Sequence, residues 1–193
     1  MQSWQALPNV PLKPAGPSTA DLLACGITDF RAVGRYLHHL PYGRNSDRSD
    51  FRLVLPEGRG TCSTKHALLA KLAREQDLPV VLTLGIYEMH ERNTPGVGAV
   101  LDTYGLPYIP EAHCYLTYQG ARIDITRSGT EPAEPIDRFL YEETIIPEQI
   151  GDYKVQLHQR FLRSWLANAK LVGDRSFAEV WKIREECIAA LAQ

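Results

Sequence analysis

The sequence lacks what a nucleic-acid-binding, membrane or disulfide-built protein would need. Lysine and arginine (21) do not outnumber aspartate and glutamate (23), the formal net charge is −2, and the aromatics are not interleaved with basic runs. There is no electrostatic footprint for a phosphate backbone, which argues against a nucleic-acid partner. No apolar run approaches the roughly 20 residues that cross a bilayer, so no membrane partner is expected. The N-terminal Met-Gln-Ser-Trp-Gln-Ala-Leu-Pro has neither a basic stretch nor an apolar one, so no secretory signal is read and a cytoplasmic location is expected. The four cysteines, at positions 25, 62, 114 and 187, include no Cys-x-x-Cys pair. They are too few and too dispersed for a disulfide framework, and neither a metal nor another cofactor is expected.

What is present is ordinary globular composition, 44 % hydrophobic and 23 % charged over 193 residues, enough for one domain with a real core. Residues 1–17, with four prolines, read as an irregular arm. Ser18, with Asp21 three residues on, starts a short helix that Gly26 ends, and a second helix runs from Asp29 as its cap to Leu40. Phe51–Leu55 reads as a strand or an extended approach leading through Gly58 and Gly60 into Cys62-Ser63-Thr64-Lys65-His66, the start of a helix that runs to about Gln76. Thr61 is its N-cap and Pro79 lies beyond its end. Val80–Tyr87 is a nearly all-apolar strand, and His90–Pro110, with three prolines and glycines at 96, 98 and 105, reads as a long loop that selects substrate.

Cys114–Tyr118 and Ala121–Thr126 alternate as strands around Gln119-Gly120. With those two residues as the turn, Leu116 faces Ile123 and Cys114 faces Ile125, an apolar face, while His113, Tyr115 and Thr117 share the other with Arg122, Asp124 and Thr126. A slip of one residue would set Leu116 against Arg122 and mix the faces. His113 and Asp124 become diagonal neighbours across the hairpin, roughly 7–8 Å apart between backbones and within side-chain reach.

The chemistry follows from the helix start. A thiolate, not a thiol, is the nucleophile, and an ordinary cysteine of pKa about 8.5 is little ionised at neutral pH. A helix N-terminus and a neighbouring imidazolium both stabilise the anion. Cys62 has the first by position, and His113 would supply the second if the hairpin covers the apolar face of its helix. Asp124 would then hold the His113 ring in one tautomer and orientation.

These residues, Gly60-Thr61-Cys62 opening a helix, a following strand, His113-Cys114-Tyr115-Leu116 and Arg122-Ile123-Asp124-Ile125, resemble the transglutaminase-like core over about residues 58–128. The resemblance implies an α+β fold of papain type, a cysteine-bearing helix packed on an antiparallel sheet, and acyl transfer or hydrolysis at amide bonds of a peptide or protein substrate. Cys62, His113 and Asp124 are the catalytic residues it implies. Arg59 stands where the family often has Trp, and Ile125 where Pro is commoner. The non-enzymatic alternative is an inactive module of the same fold that binds a peptide.

The remaining candidates read as structure. His66, one turn after Cys62, has no local carboxylate to orient it and is assigned to packing or to tuning the thiol. Cys25, Cys114 and Cys187 are read as packing residues. Residues 129–147 form a connecting loop in which Ile136–Thr144 could hold a short strand or turn. Asp152–Leu171 and Ser176–Leu191 are amphipathic helices, the second opened by Ser176 and Glu179 as a capping box. The chain thus reads as a single domain over residues 1–193, with a core of about 51–128 and a C-terminal helical pair of about 152–191 that packs on the body or on a second subunit.

Overall fold

The computed structural model describes residues 3–126, 133–168 and 173–191. Among them are seven α-helices and four strands, the strands forming one antiparallel sheet in the order β3-β2-β1-β4, so the class is α+β. No helix among the described residues is long and apolar enough to cross a membrane. The chain divides into two compact units. The first comprises Met1–Leu84, Cys114–Ser128 and Glu143–Asp152, and the second Gly85–His113, Gly129–Glu142 and Tyr153–Gln193.

In the first unit the N-terminal arm lies on the body: Leu7 and Leu12 are buried, and Pro11 bridges Asp29. Helix α1 (Pro17–Ala24) begins one residue before the expected Ser18, because Pro17 takes the first helical position, where a missing N–H costs nothing. Gly16 is its cap, and a Cβ there would lie 2.5 Å from the Glu75 carboxyl carbon. Helix α2 (Phe30–His39) starts as expected, with the Asp29 carboxylate accepting from the Ala32 amide at 2.7 Å. Phe51–Leu55 is not a strand. It forms a 3-10 turn (Phe51–Leu53) and a short helix α3 (Val54–Glu57). Phe51 and Val54 are the buried pair, a spacing of three that suits a helical turn, and Asp50 accepts from the Arg52 amide at 3.0 Å to start it.

Helix α4 (Cys62–Glu75) is the centre of this unit, with Cys62 through Ala70 all buried. Its start is a reciprocal capping box. The Thr64 amide donates to Thr61 Oγ1 at 3.5 Å, and the Thr61 amide donates to Thr64 Oγ1 at 3.0 Å. Its end is a Schellman turn: the Leu78 amide donates to the Ala73 carbonyl at 2.9 Å and that of Asp77, at φ 55°, to Arg74. Strand β1 (Val81–Met89) follows.

The hairpin of β2 (Ile109–Tyr118) and β3 (Ala121–Ile123) has the expected register, with Leu116 opposite Ile123, Thr117 opposite Arg122 and Tyr118 opposite Ala121. Gln119 and Gly120 both have positive φ, 49° and 79°, as a two-residue turn matched to strand twist requires. Strand β3 stops at Ile123 rather than Thr126. The Ile125 amide leaves the ladder and donates to His66 Nε2 at 2.9 Å, while the outward-facing Asp124 amide donates to Ser3 Oγ at 2.6 Å.

In the second unit the expected loop His90–Pro110 contains helix α5 (Gly98–Thr103) and the start of β2. Leu101, Leu106 and Val97 are buried, and Gly105 at φ 62° ends the helix as the Leu106 amide returns to the Leu101 carbonyl at 3.0 Å. Strand β4 (Tyr141–Ile145) falls in the segment where a short strand was expected. Helices α6 (Asp152–Asn168) and α7 (Phe177–Ala190) match the expected pair; Leu171 lies outside the described residues. Ser176 and Glu179 make the anticipated capping box. The core of the unit joins Tyr87, Met89, Ile109, Leu162, Ile183 and Cys187.

Candidate functional site

Cys62 is the first residue of α4, 9 % exposed, with its sulfur 3.8 Å from the Ser63 hydroxyl. The Thr61 cap takes the Thr64 amide, so the partial positive charge of the first turn, roughly half an elementary charge, is carried by the amides around the thiol. Gly60 sits under this turn. A Cβ there would lie 2.9 Å from both Lys65 Cγ and Thr64 Oγ1, so the glycine before Thr61-Cys62 permits the close approach of the strand-like entry to the helix. Lys65, wholly buried on the same turn, donates from Nζ to the carbonyls of Leu40 at 2.6 Å and Thr126 at 2.9 Å.

The structure brings His66 and Asp124 to this helix start. His66 is completely buried, its Nδ1 2.7 Å from the Cys62 carbonyl oxygen. Its Nε2 accepts the Ile125 amide at 2.9 Å and lies 3.6 Å from Asp124 Oδ1. This corrects the expectation that His66 lacks a nearby carboxylate. Because Nε2 accepts, the ring is the neutral tautomer with its proton on Nδ1, donating to Cys62. Asp124 Oδ1 accepts from the Thr126 amide at 2.9 Å and the Thr126 hydroxyl at 2.5 Å. His38 is also buried, and its pKa is lowered by burial first and then by His39 and Lys65.

His113 lies in the second unit, 6 % exposed, with its ring edge-on to Tyr87 at 5.7 Å between centroids. Nearby in chain order, Glu111 is buried and bound by Arg184 of α7, and His158 Nε2 donates to the Pro110 carbonyl at 2.9 Å. Burial holds His158 below the ordinary histidine range, consistent with a neutral donor ring. Cys114 and Cys187 are fully buried, as expected of packing residues. Cys25 is not: it caps the end of α1 and is exposed.

Three polar residues of the first unit escaped the sequence reading: Ser3, His38 and Lys65. Only Lys65 left a signal, a cation inside the unbroken buried run of α4. Among the described residues, no group of three or more His, Cys, Asp or Glu side chains is arranged to hold a metal ion. No protein-family model, no curated protein and no solved structure matches the chain.

Proposed function

We propose that the protein is a cysteine-dependent enzyme of transglutaminase-like, papain type acting on peptide or isopeptide amides, with Cys62 as nucleophile, His113 as its base and Asp124 as the residue orienting the histidine. The observation that carries this reading is the position of Cys62 at the first residue of a capped helix, with its amide in the ring of first-turn donors. In the reaction, the Cys62 thiolate attacks the amide carbonyl carbon, and the charge that develops on oxygen is met by the Cys62 amide N–H. The C–N bond breaks as the His113 imidazolium gives its proton to the departing amine, leaving a thioester on Cys62. Water, deprotonated by His113, then releases the carboxylic acid and restores the thiol.

Alkylation tests this reading directly. At about pH 6 an ordinary thiol of pKa about 8.5 is only about 0.3 % ionised. Iodoacetamide in small excess at that pH is expected to modify Cys62 before the exposed Cys25, an order that accessibility alone would reverse. His113→Ala should remove most of the advantage and Asp124→Ala less of it, both read by mass spectrometry of the digest. If Cys62 labels no faster than Cys25, or as fast without His113, the thiol reading fails and the peptide-binding module replaces it.

A further inference from the structure

Past Ile123 the segment Asp124-Ile125-Thr126 is held by side chains instead of a strand partner. Ser3 takes the Asp124 amide at 2.6 Å, His66 the Ile125 amide at 2.9 Å, and Lys65 the Thr126 carbonyl at 2.9 Å. His66 also grips the residue that bears the thiol, through Nδ1–H to the Cys62 carbonyl at 2.7 Å. One buried ring therefore spans two backbone groups, one at the thiol residue and one immediately after Asp124. Apolar packing could join the same elements without desolvating an imidazole, but it leaves them free to slide, whereas two directional hydrogen bonds at opposite ends of a rigid ring fix both distance and orientation.

We propose that His66 is a positioning residue of the thiol site, a neutral strut that sets the Asp124 carboxylate relative to the start of α4 by bridging the Cys62 carbonyl and the Ile125 amide. The inference rests on the reading of Cys62 as nucleophile and Asp124 as orienter. It makes the Ile125 bond the decisive one, because that is the end of the strut that reaches the carboxylate. The Cys62 end serves as its anchor.

Two conservative substitutions separate the ends. In His66→Asn the amide falls near the position of Nδ1, keeping the Cys62 bond and losing the Ile125 bond. In His66→Gln the amide oxygen reaches the position of Nε2 and can still accept from Ile125. The measurement is the rate of Cys62 alkylation by iodoacetamide against pH in the full-length protein, with circular dichroism and thermal melting confirming that each variant is folded. His66→Asn is expected to slow labelling at about pH 6 by about tenfold, and Asp124→Asn to do the same. The double variant should be no slower than Asp124→Asn alone, since His66 acts through Asp124, and His66→Gln should stay within about twofold of the wild type. A residue that served stability alone would shift the melting temperature and leave this ordering of rates unmoved. Equal rates in folded His66→Asn and His66→Gln variants, or losses that multiply in the double variant, overturn the proposal. Wild-type Cys62 that labels no faster than Cys25 instead brings down the thiol reading, and the strut with it.

Discussion

Glu111→Gln probes the energetics of the second unit, where β2 and α7 are joined by a buried ion pair. Arg184 Nε donates to Glu111 Oε2 at 2.6 Å and Nη2 to Oε1 at 2.5 Å, with the two side chains 11 % and 7 % exposed. Burial alone would push the Glu111 carboxyl up, but Arg184, and after it His158, bring it down to about 2 from 4.5. A lowering of that size corresponds to about 3 kcal/mol at neutral pH, and breaking one side of a buried pair costs about 3–5 kcal/mol in general. The two routes agree. The glutamine removes the charge but leaves the Arg184 guanidinium buried, so at pH 7 the variant should melt about 6–12 °C lower, taking about 2–4 °C per kcal/mol for a chain of this size. The sign with pH is fixed. A carboxyl whose pKa is depressed on folding contributes fully above 4.5 and loses its contribution as pH falls toward about 2. The gap between wild type and variant should therefore close across that window. Thermal melts followed by tryptophan fluorescence suit the measurement, since Trp165 and Trp181 pack in this unit. A second variant, Glu111→Leu with Arg184→Met, should recover much of the loss, because an apolar pair of similar volume avoids the desolvated charge. A Glu111→Gln protein that melts with the wild type at pH 7, or a gap that persists unchanged near pH 2, would refute the reasoning.

Two further outcomes are expected. Burial, and then the carboxylates of Glu111 and Glu186, push the Cys187 thiol up to about 12 from 9.0, so this thiol stabilises the fold fully below pH 9 and ever less as pH rises toward 12; denaturant midpoints measured across that range should fall in the wild type more steeply than in Cys187→Ala, and parallel slopes would disprove it. Gln119→Asn keeps the turn and relieves a side chain at φ 49° that asparagine tolerates better, so the urea midpoint should rise by an amount worth up to about 1 kcal/mol with no change in slope, whereas a lower midpoint would mean that the Gln119 side chain matters more than its backbone.

How far the sequence disclosed this structure depended on the range over which each feature is decided. The start of α4 was legible because Thr61 and the helix formers after it act within one turn, and the capping box at Ser176 likewise. The hairpin register was legible because strand alternation has a period of two, so a one-residue slip would have put Leu116 against Arg122 instead of Ile123. Phe51–Glu57 and Gly98–Thr103 were missed for the opposite reason. Helices of four and six residues hold too few positions to display a period, and which of their residues are buried is visible only once a core exists.

The end of β3 is the instructive case, because the alternation of Ala121–Thr126 argues for a strand to the last residue. Past Ile123 its amides meet side chains far away in the chain: His66, 59 positions away, takes the Ile125 amide that would otherwise face Cys114, and Ser3, 121 positions away, takes the outward-facing Asp124 amide. No local pattern carries that information. Had the ladder continued, the Ile125 amide would have been committed to a strand partner and could not have met the His66 ring. The departure from regular structure at Ile123 is thus what makes the segment addressable by side chains of the helix that carries Cys62. Lys65 follows the same logic. By composition it belongs on a solvated face, yet its ammonium is buried on the carbonyls of Leu40 and Thr126, 25 and 61 positions away. The residues that define the surroundings of Asp124 are consequently those whose roles arise from tertiary contacts, while the helix-start position of Cys62, set by the Thr61 cap, was visible in a few consecutive letters.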